Sequence, residues 1–154
     1  MVPRHNGGLD WSFIQFDEKY TDRVTDLANR SMSETYNEKV ILDIYRSWRE
    51  GFILLMAGDE IAGFICGSRY SITEARILLL AVENAYRRSG LGSMLLDRFL
   101  EICRKSGYLS VRLEVRTDND GAISFYRRHG FSITSTMLYY YSDLSDAFQM
   151  WRML

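Results

Sequence analysis

Apolar positions recur along the chain with two periods, and the order in which those periods alternate predicts a mixed α/β domain. "WSFIQF" (11–16) alternates apolar and polar side chains, the mark of a strand. From Glu18 to Ser31 the spacing lengthens to that of a helix, with Tyr20, Val24, Leu27 and Ala28 on one face. A second helical stripe follows in 37–50, made by Val40, Ile41, Ile44, Tyr45 and Trp48. "FILLMAGDEIAGFICGSRY" (52–70) predicts a hairpin turning at Gly58-Asp59-Glu60. "ARILLLAV" (75–82) is a continuous apolar strand suited to the middle of a sheet. The next helix carries Leu91, Met94, Leu95, Phe99 and Ile102 on one face. "YLSVRLEVR" (108–116) alternates again, with Leu109, Val111, Leu113 and Val115 on one side. Asp118 or Asn119 caps a helix holding Ala122, Ile123, Phe125 and Tyr126, which Gly130 terminates. "FSITSTMLYYY" (131–141) and "DAFQMWRML" (146–154) close the chain as two strands. The pattern predicts about four helices among seven strands, one domain over 11–154, and a flexible start over 1–10.

Composition agrees with that picture and narrows the chemistry. At 154 residues, 47% hydrophobic and 25% charged, the chain can bury a sizeable core. A net charge of −1 excludes a broad nucleic-acid footprint. No apolar run approaches the roughly 20 residues of a membrane span, and no signal-peptide pattern opens the chain, so a cytoplasmic protein is expected. Cys66 and Cys103 lack metal or redox spacing, which predicts reduced thiols and no metal site.

Against this near-neutral background, "YRRSGLGSMLL" (86–96) places Arg87 and Arg88 beside a glycine-punctuated helix start. Helix N-termini carry unsatisfied N–H donors, and glycine lets the backbone approach a ligand, so the natural occupant is a phosphate or pyrophosphate. A nucleotide P-loop would need Gly-Lys-Ser/Thr, whereas Gly92 is followed by Ser93. The dinucleotide fingerprint needs a third glycine where Leu95 stands. A plain tight turn at Gly90 and Gly92 is the structural alternative.

The stretch Arg87-x-x-Gly90-x-Gly92 resembles the Gln/Arg-x-x-Gly-x-Gly/Ala turn with which the GNAT acetyltransferase superfamily binds the pyrophosphate of acetyl-CoA. Leu80-Ala81-Val82 is similar to that family's strand for the pantetheine arm. "LEVRTDNDGAISFYRRHGF" (113–131) resembles the corresponding block of the RimI-like branch, enzymes that acetylate protein N-termini. "YYSDLSDAFQM" (140–150) and "SETY" (33–36) resemble the closing segment and the first interhelical loop of N-terminal acetyltransferase catalytic subunits, with Ser33 in place of a proline. The resemblance spans 11 to 154 and implies the GNAT fold, a mixed, mostly antiparallel sheet of about seven strands flanked by about four helices.

It also implies roles. Residues Leu80 to Val82 and Arg87 to Ser93 (Arg87, Arg88, Ser89, Gly90, Leu91, Gly92 and Ser93) would hold acetyl-CoA, with Asn119 touching its backbone. Glu114 would be the general base: α-amino groups have pKa values near 7.7–8.0, so a modest base suffices. Strand alternation puts Glu114 on the face of Arg112 and Arg116, where a simple ion pair is the competing role. Tyr126 would protonate the departing thiolate, against an alternative as a core aromatic. Glu34, Tyr36, Tyr140 and Tyr141 would form the peptide site, with Glu34 as a second candidate base. A main-chain N–H near Val82 would hold the oxyanion. Arg127 and Arg128 read as a solvated helix face, with contact to the adenosine 3′-phosphate as the alternative, and His129 is given no role. The expected reaction is direct attack by a protein N-terminal amine, with an auxiliary subunit or ribosome attachment in reserve. A small-amine or lysine acetyltransferase and a non-catalytic acyl-CoA-binding module are the alternatives.

Overall fold

A computed structural model describes residues 10–87 and 89–154. The strands are β1 (Trp11–Gln15), β2 (Phe52–Ala57), β3 (Glu60–Arg69), β4 (Glu74–Val82), β5 (Ser110–Arg116), β6 (Ser132–Met137) and β7 (Ala147–Met153). The helices are α1 (Thr21–Ser31), α2 (Glu38–Ser47), α3 (Leu91–Lys105) and α4 (Asp120–Arg128). All strands join one sheet in the order β1-β2-β3-β4-β5-β7-β6, antiparallel except for the β4–β5 pair. That is the expected GNAT-type mixed sheet.

Two apolar layers sandwich the sheet. Val24, Leu27, Ala28 and Ile41 of α1 and α2 pack with Phe52, Leu54 and Phe64 on one face. Leu95, Leu96, Phe99 and Leu100 of α3, with Ile123 and Tyr126 of α4, cover the other. The two layers exchange places along β4. Its register with β3 passes from Leu79↔Cys66 to Ile77↔Gly67, which leaves Leu78 as a bulge. A bulge adds one residue and shifts the alternation. Ala75 and Ile77 therefore face α3, whereas Leu79 and Ala81 face α1. Gly67 is needed opposite the bulge, because a Cβ there would stand 2.5 Å from the Arg76 carbonyl and 2.6 Å from Phe99.

Several predicted boundaries shift. Glu18–Tyr20 forms a 3-10 turn before α1. Val40 is 39% exposed, because only one edge of α2 meets the core at Ile41. Trp48 lies beyond the end of α2 and packs on Phe99 and Tyr108 in the opposite layer. Leu109 precedes β5 and is 62% exposed. The segment read as a strand over 131–141 leaves the sheet after Met137, and Tyr139 and Leu144 take left-handed backbone conformations, φ 55° and 68°. Tyr140 and Tyr141 thus sit on a loop, free to reach across the sheet.

Candidate functional site

The parallel strands β4 and β5 meet at only three register pairs, Glu74↔Ser110, Ala75↔Val111 and Arg76↔Arg112. Beyond these they separate, so the β5-facing edge of β4 from Ile77 to Val82 carries backbone groups with no strand partner on that side. A cavity of about 780 Å³ opens in the wedge. Its walls come from both strands, from α4, and from the loops 31–36 and 140–142. Leu80, Glu114, Asn119 and Tyr126 all line it. So do the four residues expected to receive a peptide, Glu34, Tyr36, Tyr140 and Tyr141. Ala81 turns its side chain into the α1 layer and Val82 packs toward α3.

At the far end of β4 the glycine turn starts α3. Gly90 has φ 77°, a left-handed conformation that glycine adopts without steric cost. Met94 N–H donates to the Gly90 carbonyl at 3.1 Å, so the N–H groups of Leu91, Gly92 and Ser93 precede the first helical bond. Leu91 buries its side chain and contributes backbone alone, while Ser89 is exposed. A Cβ on Gly92 would make ordinary 3.6 Å contacts with Phe125, so Phe125 does not require glycine there. Arg87 Nε donates to the Val82 carbonyl at 3.1 Å, tying the turn back to β4. Arg88 lies outside the described residues. Ser93 Oγ is 2.9 Å from His129 Nε2, and Asp97 lies 3.6 Å from His129 Nδ1, so the histidine joins α4 to the start of α3.

Glu114 is nearly buried, with its side chain 8% exposed, and is ion-paired, with Arg112 as strand alternation suggested and with Arg76 rather than Arg116. Its Oε2 accepts from Arg76 Nε at 2.9 Å, and Arg112 Nε lies 3.9 Å from its Oε1. Arg116 pairs elsewhere. Its Nε donates to Ser33 Oγ at 2.6 Å, its Nη1 reaches Asp143 at 3.0 Å, and its guanidinium lies over the Tyr141 ring. Arg76 also donates to the Tyr140 hydroxyl at 2.8 Å, linking Glu114 to the β6–β7 loop.

Glu34 clamps the two loops together. Its carboxylate accepts from the Ser142 N–H at 3.0 Å and the Ser142 hydroxyl at 2.7 Å, with Arg116 3.9 Å away. These hydrogen bonds from Ser142, aided by the Arg116 charge, hold its pKa below the ordinary carboxylate value. Burial raises the phenols of Tyr36, Tyr126 and Tyr141, the last to about 12. The Tyr126 ring packs between Phe125 and Phe131, and its hydroxyl has no hydrogen-bond partner among the described residues. Asn119 Oδ1 accepts from Ala122 N–H at 3.1 Å and caps α4.

Arg76, Ser142 and Asp143 were not singled out in the sequence. Arg76 stood as one polar residue inside "ARILLLAV", and only the β4–β5 register shows that it meets Glu114. The described residues contain no cluster of histidine, cysteine or acidic groups able to hold a metal ion, and no helix long and apolar enough to cross a membrane.

Residues 21–131 match the profile of the Acetyltransferase (GNAT) family. The chain is 27% identical over 142 residues to N-alpha-acetyltransferase 30 of Schizosaccharomyces pombe, covering 90% of this chain and 95% of that protein. Among solved structures it resembles Ard1 from Thermoplasma volcanium, at 49% identity and TM-score 0.91, over 94% of this chain and 97% of that one. It also resembles Arabidopsis thaliana Naa50 in complex with the bisubstrate analogue CoA-Ac-MVNAL, at 28% identity and TM-score 0.83, over 92% and 97%.

Proposed function

This chain belongs to the GNAT acetyltransferase family, and from that premise we infer that it is an N-α-acetyltransferase moving an acetyl group from acetyl-CoA to the N-terminal amines of proteins. One observation carries the assignment of residues: Glu114 and Tyr126 meet in a single cavity roofed by two clamped, tyrosine-bearing loops. The chemistry of the walls fits acetyl-CoA. The N–H groups of Leu91, Gly92 and Ser93 and the arginine at 87 suit its pyrophosphate, and the unpaired edge of Leu80 to Val82 suits its amide-bearing arm. Bound there, acetyl-CoA supplies the activated acetyl thioester.

The chain's own groups do the rest. Glu114, oriented by the Arg76 guanidinium in the unliganded enzyme, receives the proton of the attacking amine on its carboxylate, directly or through one water. A main-chain N–H near Val82 holds the developing oxyanion. Tyr126 keeps its proton, because burial raises its pKa, and delivers it to the departing sulfur. Glu34 is the lesser base: Ser142 occupies both of its oxygens, and the same bonds weaken its basicity. Its part is to hold the peptide loops shut, with Tyr36, Tyr140 and Tyr141 forming stiff walls around the first residues. Neither cysteine is placed to act as a nucleophile, since both are buried, which favours direct attack. One domain over 11–154, membership of the RimI-like branch, a cytoplasmic location and help from an auxiliary or ribosome-bound subunit complete the proposal.

The test is thiol release from acetyl-CoA against short peptides varied at positions one and two, with free lysine, spermidine and an N-terminally blocked lysine peptide as controls. Turnover confined to free N-termini is expected. Glu114→Gln should abolish most of it while CoA binding remains. Turnover with the small or blocked amines instead overturns the N-terminal reading, and CoA binding without any turnover points to a binding module.

A further inference from the structure

We propose that Arg112 is a positioning residue for Glu114, with one N–H of its guanidinium reserved for that carboxylate during turnover. The inference rests on Glu114 being the base. The Arg112 head is engaged on several sides. Nη1 faces Glu74 Oε2 at 3.6 Å, Nη2 donates to Gln149 Oε1, and the flat face lies 4.0 Å from the centre of the Tyr70 ring. Glu74 is itself fixed by Ser110 Oγ at 2.8 Å and the Trp151 indole N–H at 2.7 Å. Nε, by contrast, is buried with no hydrogen-bond partner among the described residues, and it lies 3.9 Å from Glu114 Oε1.

An orphaned buried donor is costly and calls for a reason. Here the reason lies with the other partner of Glu114. Arg76 is 28% exposed against 12% for Arg112, and it also holds the Tyr140 hydroxyl on a loop that forms the peptide site. A peptide that takes over the Tyr140 hydroxyl removes the anchor of Arg76 Nη2 and frees the guanidinium, with the Nε that holds Glu114, to move. The carboxylate then needs about 1 Å of travel to reach a normal hydrogen-bond distance from Arg112 Nε. Arg76 is thus the movable partner and Arg112 the fixed one. Glu114 stays oriented while the amine arrives, without sharing both oxygens in the unliganded enzyme.

The experiment follows the Arg112 Nε–H by proton–nitrogen NMR in the whole protein, with and without a bisubstrate analogue joining coenzyme A to a short peptide. A downfield shift and slower solvent exchange on binding are expected, and an unchanged resonance overturns the proposal. In parallel, Arg112→Lys keeps the charge but lacks this donor. It should lower kcat by about tenfold to a hundredfold, the worth of a charge-assisted hydrogen bond, with the KM for acetyl-CoA unchanged. Wild-type kcat in that variant also overturns it. If Arg112→Lys does not fold, the NMR measurement on the wild type decides alone. Full activity in Glu114→Gln would instead remove the base assignment, a separate failure.

Discussion

Replacing Tyr126 by phenylalanine separates chemistry from packing at one atom. The ring sits edge-on against Phe125 and Phe131, with centroids 5.1 and 5.6 Å away, and both contacts survive the change. The hydroxyl bonds to no other described residue, so its removal breaks no hydrogen bond among them. The folded state should be as stable as the wild type or up to about 1 kcal/mol more so, which is a rise in Tm of at most about 4 °C for a domain of this size. Turnover should respond quite differently. A general acid contributes about 10²–10⁴-fold, equivalent to about 3–5 kcal/mol of barrier, and the loss should fall on kcat with CoA affinity intact. The pH dependence carries its own sign. Burial raises this phenol above its unfolded value near 10, so its contribution to stability is complete below about pH 10 and is lost as pH rises further. The Tyr126→Phe variant should therefore resist alkaline unfolding better than the wild type. Steady-state thiol release and thermal melts at pH 7 to 11 measure both effects. A kcat within about twofold of wild type would refute the assignment as general acid. A parallel fall in kcat and Tm would show that packing, not proton transfer, was lost.

Three further outcomes follow from the same geometry. Ser142→Ala removes the hydroxyl half of the Glu34 clamp and should raise the peptide KM several-fold while leaving the KM for acetyl-CoA unchanged; equal changes in both would place the clamp elsewhere. Asp143 is held down to about 2, first by Arg116 and then by Ser145, so its contribution is present above the ordinary carboxylate range and lost as pH falls from about 4 through 2. The Ser145 amide, which donates to Asp143 at 3.0 Å, should report a midpoint near 2 by NMR, and one near 4 would show that the pairing does not persist in solution. Gly67→Ala drives a Cβ into the Arg76 carbonyl and Phe99 and should cost about 1–3 kcal/mol in denaturant unfolding; an unchanged midpoint would mean that the β4 bulge yields easily.

Periodicity located the seven strands and four α-helices of the described residues because each buries a face against one of two apolar layers, and burial imposes the period. It misjudged Val40 and Leu109, since an apolar residue at the right spacing is still exposed where no neighbouring element covers it. It read 131–141 as one strand because Tyr140 and Tyr141 have strand-like side chains, although the chain turns out of the sheet after Met137. The glycine turn and the Glu114–Tyr126 pair were legible as local spacing and resemblance. The partners of Glu114 were not, because Arg76 lies 38 residues away and meets it only through a parallel register that no local pattern encodes. Ser142 escaped for the same reason: its contact with Glu34 spans 108 residues.

The short seam between β4 and β5 also has a mechanical meaning. Only three strand register pairs join the β1–β4 half of the sheet to the β5–β7 half, and beyond them the two arms diverge like the blades of open shears. Ala75 and Val111 form the middle of that pivot, and both are wholly buried. A pivot turns small displacements near the seam into larger ones at the tips, where Val82 and Arg116 lie. The width of the mouth thus depends on the bulk of two buried side chains at the pivot, and a larger side chain at position 75 would act as a wedge, spreading the blades from behind.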